Sequence, residues 1–97
     1  MRVISKKALV ECYTKHPTAK SPLEAWHAEA KSATWRTPSD IKAKFRSADF
    51  LQDNRVVFNI GGNKYRLVVK VAYRAGIVYV RFVGTHREYD RIDAESV

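Results

Sequence analysis

The residues best suited to chemistry cluster near one end of the sequence. Gly84-Thr85-His86-Arg87-Glu88-Tyr89-Asp90 brings an imidazole, a phenol and several charges into one short run. Histidine changes charge near neutral pH and so serves as a general acid or base. Lys64, Arg66 and Arg81 precede it and supply a positive field. Cleavage of RNA by its own 2′-OH needs this combination: a base for the hydroxyl proton, an acid for the leaving 5′-oxygen, and cations on the phosphorane. A lone histidine is more often a surface residue, so the weight on His86 comes from its cationic neighbours. Tyr89 is suited to proton transfer or to stacking on a base. Other chemistries lack their residues. His16, His27 and His86 are far apart and Cys12 is the sole cysteine, which does not make a metal site. Gly61-Gly62-Asn63-Lys64 lacks the spacing of a phosphate-binding loop. Cys12 shares a helical face with Leu9 and Tyr13 and reads as a packing residue rather than a nucleophile. No cofactor is expected.

Charge points to an anionic partner. The net charge is +8, and the stretch from Asn54 to Arg87 holds Arg55, Lys64, Arg66, Lys70, Arg74, Arg81 and Arg87 with no Asp or Glu. A surface that repels itself in this way suits a polyanion. Strand alternation then sorts the side chains. Tyr65, Leu67, Val69 and Val71 point one way, and Lys64, Arg66, Val68 and Lys70 the other. Val56, Phe58 and Ile60 oppose Arg55, Val57 and Asn59, while Val78, Val80 and Phe82 oppose Tyr79 and Arg81. The expected result is an open basic sheet face on which Arg55, Asn59, Lys70, Tyr79 and Arg87 also contact RNA. Guanidinium groups bind phosphate and aromatic rings stack on unpaired bases. The helices lack a helix-turn-helix pattern, which favours single-stranded RNA over duplex DNA. These features fit a non-catalytic RNA-binding or ribosome-associated module as well as a nuclease.

The elements that must position these groups read as α+β. Ninety-seven residues, 45% of them hydrophobic, make one domain spanning 1–97. Arg2-Val3-Ile4 reads as a short strand, and Ser5 caps a helix running to about Lys15 that His16-Pro17 ends. Ser21-Pro22-Leu23-Glu24 carries the signature of a second helix start, with Leu23, Trp26, Ala30 and Ala33 facing inward. Thr37-Pro38-Ser39-Asp40 starts a third helix, with Ile41 and Phe45 one turn apart. Strands over 55–60, 64–73 and 77–84 follow, joined by Gly61-Gly62-Asn63 and Arg74-Ala75-Gly76. The expected fold is a small antiparallel sheet, a three-strand meander plus the short N-terminal strand, with helices on one face. No stretch reads as a membrane span or signal peptide, and a cytoplasmic protein is expected.

Two stretches also carry a family resemblance. Arg55-Val56-Val57-Phe58-Asn59-Ile60-Gly61-Gly62-Asn63-Lys64-Tyr65-Arg66-Leu67-Val68-Val69 resembles the HigB branch of the RelE-like bacterial toxins. So do Phe82-Val83-Gly84-Thr85-His86-Arg87-Glu88-Tyr89-Asp90-Arg91-Ile92-Asp93 and the opening Arg2-Val3-Ile4-Ser5. The resemblance implies a RelE-like fold and the toxin of a type II toxin–antitoxin pair, an endoribonuclease that cleaves mRNA, commonly on the translating ribosome. It further implies a HigA-like helix-turn-helix antitoxin, through which alone the pair would reach operator DNA. Among the residues, it implies catalytic work for His86, Tyr89, Arg66, Arg81 and Lys64.

Overall fold

In the computed structural model, which describes residues 1–97, the chain begins with strand β1 (Arg2–Ile4) and helix α1 (Lys6–Lys15). Ser5 caps α1 as expected, its hydroxyl accepting from the Lys7 amide at 3.1 Å. A single 3₁₀ turn over Pro17–Ala19 follows and runs directly into α2 (Lys20–Ser32). The helix therefore starts before Ser21, and Ala19 occupies the cap position in helical geometry with no side-chain cap. The preceding turn already orients the backbone, so the Ser21 signature goes unused. Helix α3 (Pro38–Lys44) starts where expected: the Asp40 carboxylate accepts from the amides of Arg36 and Thr37 at 2.9 and 3.1 Å. Those bonds hold its pKa below the usual carboxylate range.

Strands β2 (Asp49–Phe50), β3 (Arg55–Ile60), β4 (Tyr65–Ala72) and β5 (Ile77–Thr85) complete the sheet, and a single turn of helix, α4 (His86–Tyr89), closes the site region. The order across the sheet is β1-β5-β4-β3-β2. The α+β class and the β3-β4-β5 meander agree with the sequence reading. Two details differ. A two-residue strand, too short to show alternation, pairs with β3, and β1 lies parallel to β5, making the sheet mixed. Gly61 and Gly62 turn β3 into β4 with φ of 61° and 70°, which favours residues without a Cβ.

All the longer helices lie on one face. Leu9 and Cys12 of α1, Leu23, Trp26 and Ala30 of α2 and Ile41 of α3 pack with Val56, Phe58, Leu67, Val69, Val71 and Val78 of the sheet. Phe58 anchors this core, its ring 5.4 Å from that of Trp26 and 5.0 Å from that of Phe45. Burial raises the Cys12 thiol pKa, with the Glu88 charge adding to it, as befits a packing residue.

One irregularity reorganises the other face. The β4–β5 register slips between Val68 and Val69: Val69 pairs with Val80, but Val68 pairs with Phe82, leaving Arg81 as the extra residue of a bulge. Phe82 was expected to face the helices with Val78 and Val80. The slip turns it to the opposite face, and Val83 packs against the core instead.

Candidate nucleic-acid interface and active site

The meander ends at the junction of β4, β5 and α4, and the reactive side chains meet there. The His86 amide bonds the Lys64 carbonyl at 3.0 Å, so the start of α4 is an extension of the β4–β5 ladder. Thr85 caps the turn: its hydroxyl accepts from the Glu88 amide at 3.1 Å, and the Glu88 carboxylate accepts from the Thr85 amide at 2.8 Å. This reciprocal pair is a capping box, legible in the sequence as Thr85-x-x-Glu88. Its backbone bond is the chief reason that the Glu88 pKa falls below the ordinary value. His86 and Tyr89, three residues apart on this turn, project from neighbouring positions.

Each reactive group has a defined neighbour. His86 Nδ1 lies 3.1 Å from Asp90 Oδ2, which orients the ring, and Nε2 has no hydrogen-bond partner. With Nδ1–H donating to the carboxylate, the free Nε2 can take a proton. Arg66, opposite Gly84 in the ladder, places its Cζ 6.0 Å from the Tyr89 ring. Its guanidinium otherwise reaches only the carbonyls of Asn63 and Tyr65, both at 3.3 Å, and forms no ion pair. Lys64 is exposed. Structure thus brings together four of the five residues expected to be catalytic: His86, Tyr89, Arg66 and Lys64. None of the surface clefts is lined by them. An open surface of this kind suits a polymer better than a small substrate.

The fifth, Arg81, is engaged elsewhere. Its Nε donates to the Val97 main-chain oxygen at 3.2 Å, and Arg55 donates to the same oxygen. The C-terminal segment therefore reaches onto the basic sheet face, which is not open over its whole extent. Arg55 was expected to contact RNA from that face; it is only 7% exposed, and its Nε lacks any acceptor. Val57 and Val68 beside it are also buried, though outside the core formed with the helices. Lys70 is paired with Asp53 at 2.8 Å. Of the other expected RNA contacts, Asn59 lies opposite Arg66 and donates to the Ser47 carbonyl at 3.3 Å, while Tyr79 and Arg87 are exposed.

Sequence reasoning missed two members of the neighbourhood. Phe82 stands 6.4 Å from Tyr89, ring centre to ring centre. His16, at the end of α1, has its Nε2 3.9 Å from Glu88 Oε1 and its ring 5.8 Å from that of Tyr65, whose hydroxyl bonds Thr18. Only the capping-box spacing hinted at Glu88, and nothing in the sequence connects His16 to it.

The mixed sheet, the one-sided helices and the imidazole–phenol turn are compatible with a RelE-like toxin. Residues 19–92 match the HigB toxin model, described as the RelE-like toxic component of a toxin–antitoxin system. The chain is 37% identical over 92 residues to the mRNA interferase toxin HigB of Escherichia coli (strain K12), covering 93% of this chain and 88% of that protein. The Shigella flexneri mRNA interferase HigB matches equally well, and one from Escherichia coli strain CFT073 is 28% identical over 94 residues, covering 95% of this chain and 91% of that one. The chain belongs to the HigB toxin family. Membership implies an antitoxin partner and an mRNA substrate. No helix is long and apolar enough to cross a membrane.

Proposed function

We propose that this toxin is an endoribonuclease that cuts mRNA at the α4 end of its sheet by metal-free attack of a 2′-OH on the adjacent phosphate. The observation that carries the reading is the His86–Asp90 pair held beside Arg66 and Tyr89 at the end of a cationic strand. In the forward step His86 Nε2 accepts the 2′-OH proton, or its protonated form donates to the departing 5′-oxygen. The 2′-oxygen bonds phosphorus and the P–O5′ bond breaks, leaving a 2′,3′-cyclic phosphate and a 5′-hydroxyl. Arg66, with Lys64, holds the charge that builds on the phosphorane. Tyr89 stacks on a base or relays the second proton.

Arg81 joins the clamp by exchanging the Val97 main-chain oxygen for a phosphate oxygen, to which its guanidinium can make paired, charge-assisted bonds. Asn59, Tyr79 and Arg87 guide the flanking RNA, with Lys70 released from Asp53 to assist. The protein works as one RelE-like domain, residues 1–97, in the bacterial cytoplasm, on messages held by the ribosome. A HigA-like helix-turn-helix antitoxin neutralises it and provides the only link to operator DNA.

The decisive experiment incubates purified protein with a defined mRNA, with and without translating ribosomes, and maps the new ends. Cuts confined to ribosomes, with cyclic or 3′-phosphate ends, are expected. Cuts in free RNA would remove the ribosome from the proposal, and no cuts by monodisperse protein in either tube would remove catalysis.

A further inference from the structure

We propose that Phe82 and Tyr89 form a platform on which one unpaired nucleobase of the RNA stacks, beside the phosphate held by Arg66. The inference rests on the RNA-cleavage reading and assigns Phe82 a role that its place in the sequence conceals. Without the bulge, Phe82 would alternate with Arg81 and lie in the helix-side core. With Arg81 extruded, Phe82 pairs with Val68 and occupies the same face as Arg66 and Asn59, two ladder positions from the Arg66–Gly84 pair.

The local geometry is built around the ring. A Cβ on Gly84 would lie 2.9 Å from Phe82 Cζ and 2.8 Å from Glu88 Oε1, so the ring rests over a bare α-carbon while α4 closes down beside it. Phe82 and Tyr89 meet at 51°, forming a corner rather than a slot, and both are half-buried. Arg66 approaches the Tyr89 ring from its own strand. Anchoring α4 to the sheet would need only an aliphatic side chain. Two rings and a guanidinium on a cationic face offer more: a π-surface for a base and a fixed charge for the adjoining phosphate. Every base has such a face, so the platform takes any unpaired base and contributes affinity rather than sequence choice.

The test uses Phe82→Leu, which keeps apolar volume, and Phe82→Tyr, which keeps the ring, after melting curves show both folded; Phe82→Met replaces a leucine variant that is not. Binding is read by fluorescence anisotropy with a 2′-O-methyl oligoribonucleotide, which lacks the attacking hydroxyl, and an abasic nucleotide is walked along it. In the wild type one position should cost about 5- to 150-fold in affinity, the worth of one stacked base. Phe82→Leu should lose affinity for the intact oligomer and show no further penalty at that position, and Phe82→Tyr should behave as wild type. Equal binding of the intact oligomer by Phe82→Leu, or an undiminished abasic penalty in it, overturns the platform. So does a wild type that binds neither the free oligomer nor ribosome-held message. A wild type that shows the stacking penalty yet cuts no RNA would sink cleavage and leave the platform standing. One that cuts while Phe82→Leu binds normally would do the reverse.

Discussion

At the α4 end of the basic face, Lys64 and Arg66 make no ion pair and no bond to a distant segment, whereas farther along β3, β4 and β5 the cations are tied to other parts of the chain. Arg55 and Arg81 converge on the Val97 main-chain oxygen and Lys70 holds Asp53. The two regions look alike in sequence, since each strand carries its Arg or Lys on the same alternate positions. What separates them is what else folds onto the face. A cation held by an ion pair or by a distant segment must surrender that bond before it can bind phosphate, and the exchange subtracts from the gain; Arg66 gives up only long bonds, at 3.3 Å, to carbonyls of its own hairpin. Local availability, rather than the count of positive charges, should therefore decide where an RNA backbone is gripped.

The sharpest way to break this comparison is mutation at the unpartnered end. His86→Ala should lower single-turnover cleavage by about 10²–10⁴-fold, the usual worth of a positioned acid or base. Full cleavage by that variant would remove His86 from the chemistry. Arg66→Ala should cost about 10²–10³-fold, in the range for one preorganised charge donor. If Arg66→Ala were silent while Arg81→Ala abolished cleavage, the engaged region would be the working one and the comparison would invert.

Between the two regions sits the capping box that fixes α4. Thr85→Ala removes the acceptor for the Glu88 amide and should destabilise the fold by about 0.5–2 kcal/mol, measured by chemical denaturation. The Glu88 half of the box depends on pH in a defined direction. Its folded pKa lies below the ordinary 4.5, chiefly through the Thr85 amide bond, so the carboxylate's contribution is full above the unfolded pKa. It disappears as pH falls through the depressed folded value. Melting temperatures of wild type and Glu88→Ala should therefore differ most above about pH 5 and converge in stronger acid. A gap that stayed constant down to the acid limit would show that packing, not ionisation, holds the turn.

Much of this architecture is written in strict alternation. Tyr65, Leu67, Val69 and Val71 face the helix-side core because a period of two puts all four on one side of the strand, and the Thr37 and Ser5 helix starts follow from their own local bonds. His86 and Tyr89 were legible for a similar reason, since three-residue spacing on one turn makes neighbours. Phe82 was not. Along Val80-Arg81-Phe82-Val83 a regular strand buries Phe82 and a bulged one buries Val83, and both are apolar, so hydrophobicity cannot choose. The Val97 contacts with Arg55 and Arg81 were equally hidden, for they join residues far apart through a main-chain oxygen whose presence does not depend on residue type. The pairing of His16 with Glu88 likewise depends on where α1 ends against α4, which only tertiary packing determines.

Smaller effects sharpen the same contrast. Arg55→Met replaces a buried guanidinium, one of whose nitrogens lacks a partner, by an apolar chain of similar length. Stability should be unchanged or raised, because removing an imperfectly paired buried charge offsets the lost bond to Val97. RNA affinity should also hold, and a marked loss would return Arg55 to the binding face. The finest discrimination comes from salt dependence. For single strands each neutralised phosphate contributes about 0.7 to the slope of log affinity against log salt. Lys64→Ala should lower that slope by nearly this amount. Lys70→Ala should lower it by less, since the lysine gives up Asp53 in order to bind. The Lys70–Asp53 pair is itself exposed, with 41% and 65% of the side chains accessible, so its loss should leave the melting temperature nearly unchanged. Equal slopes for the two variants would mean that a surface ion pair exchanges freely for phosphate, and only the tail-held arginines would then remain distinct from the α4 end.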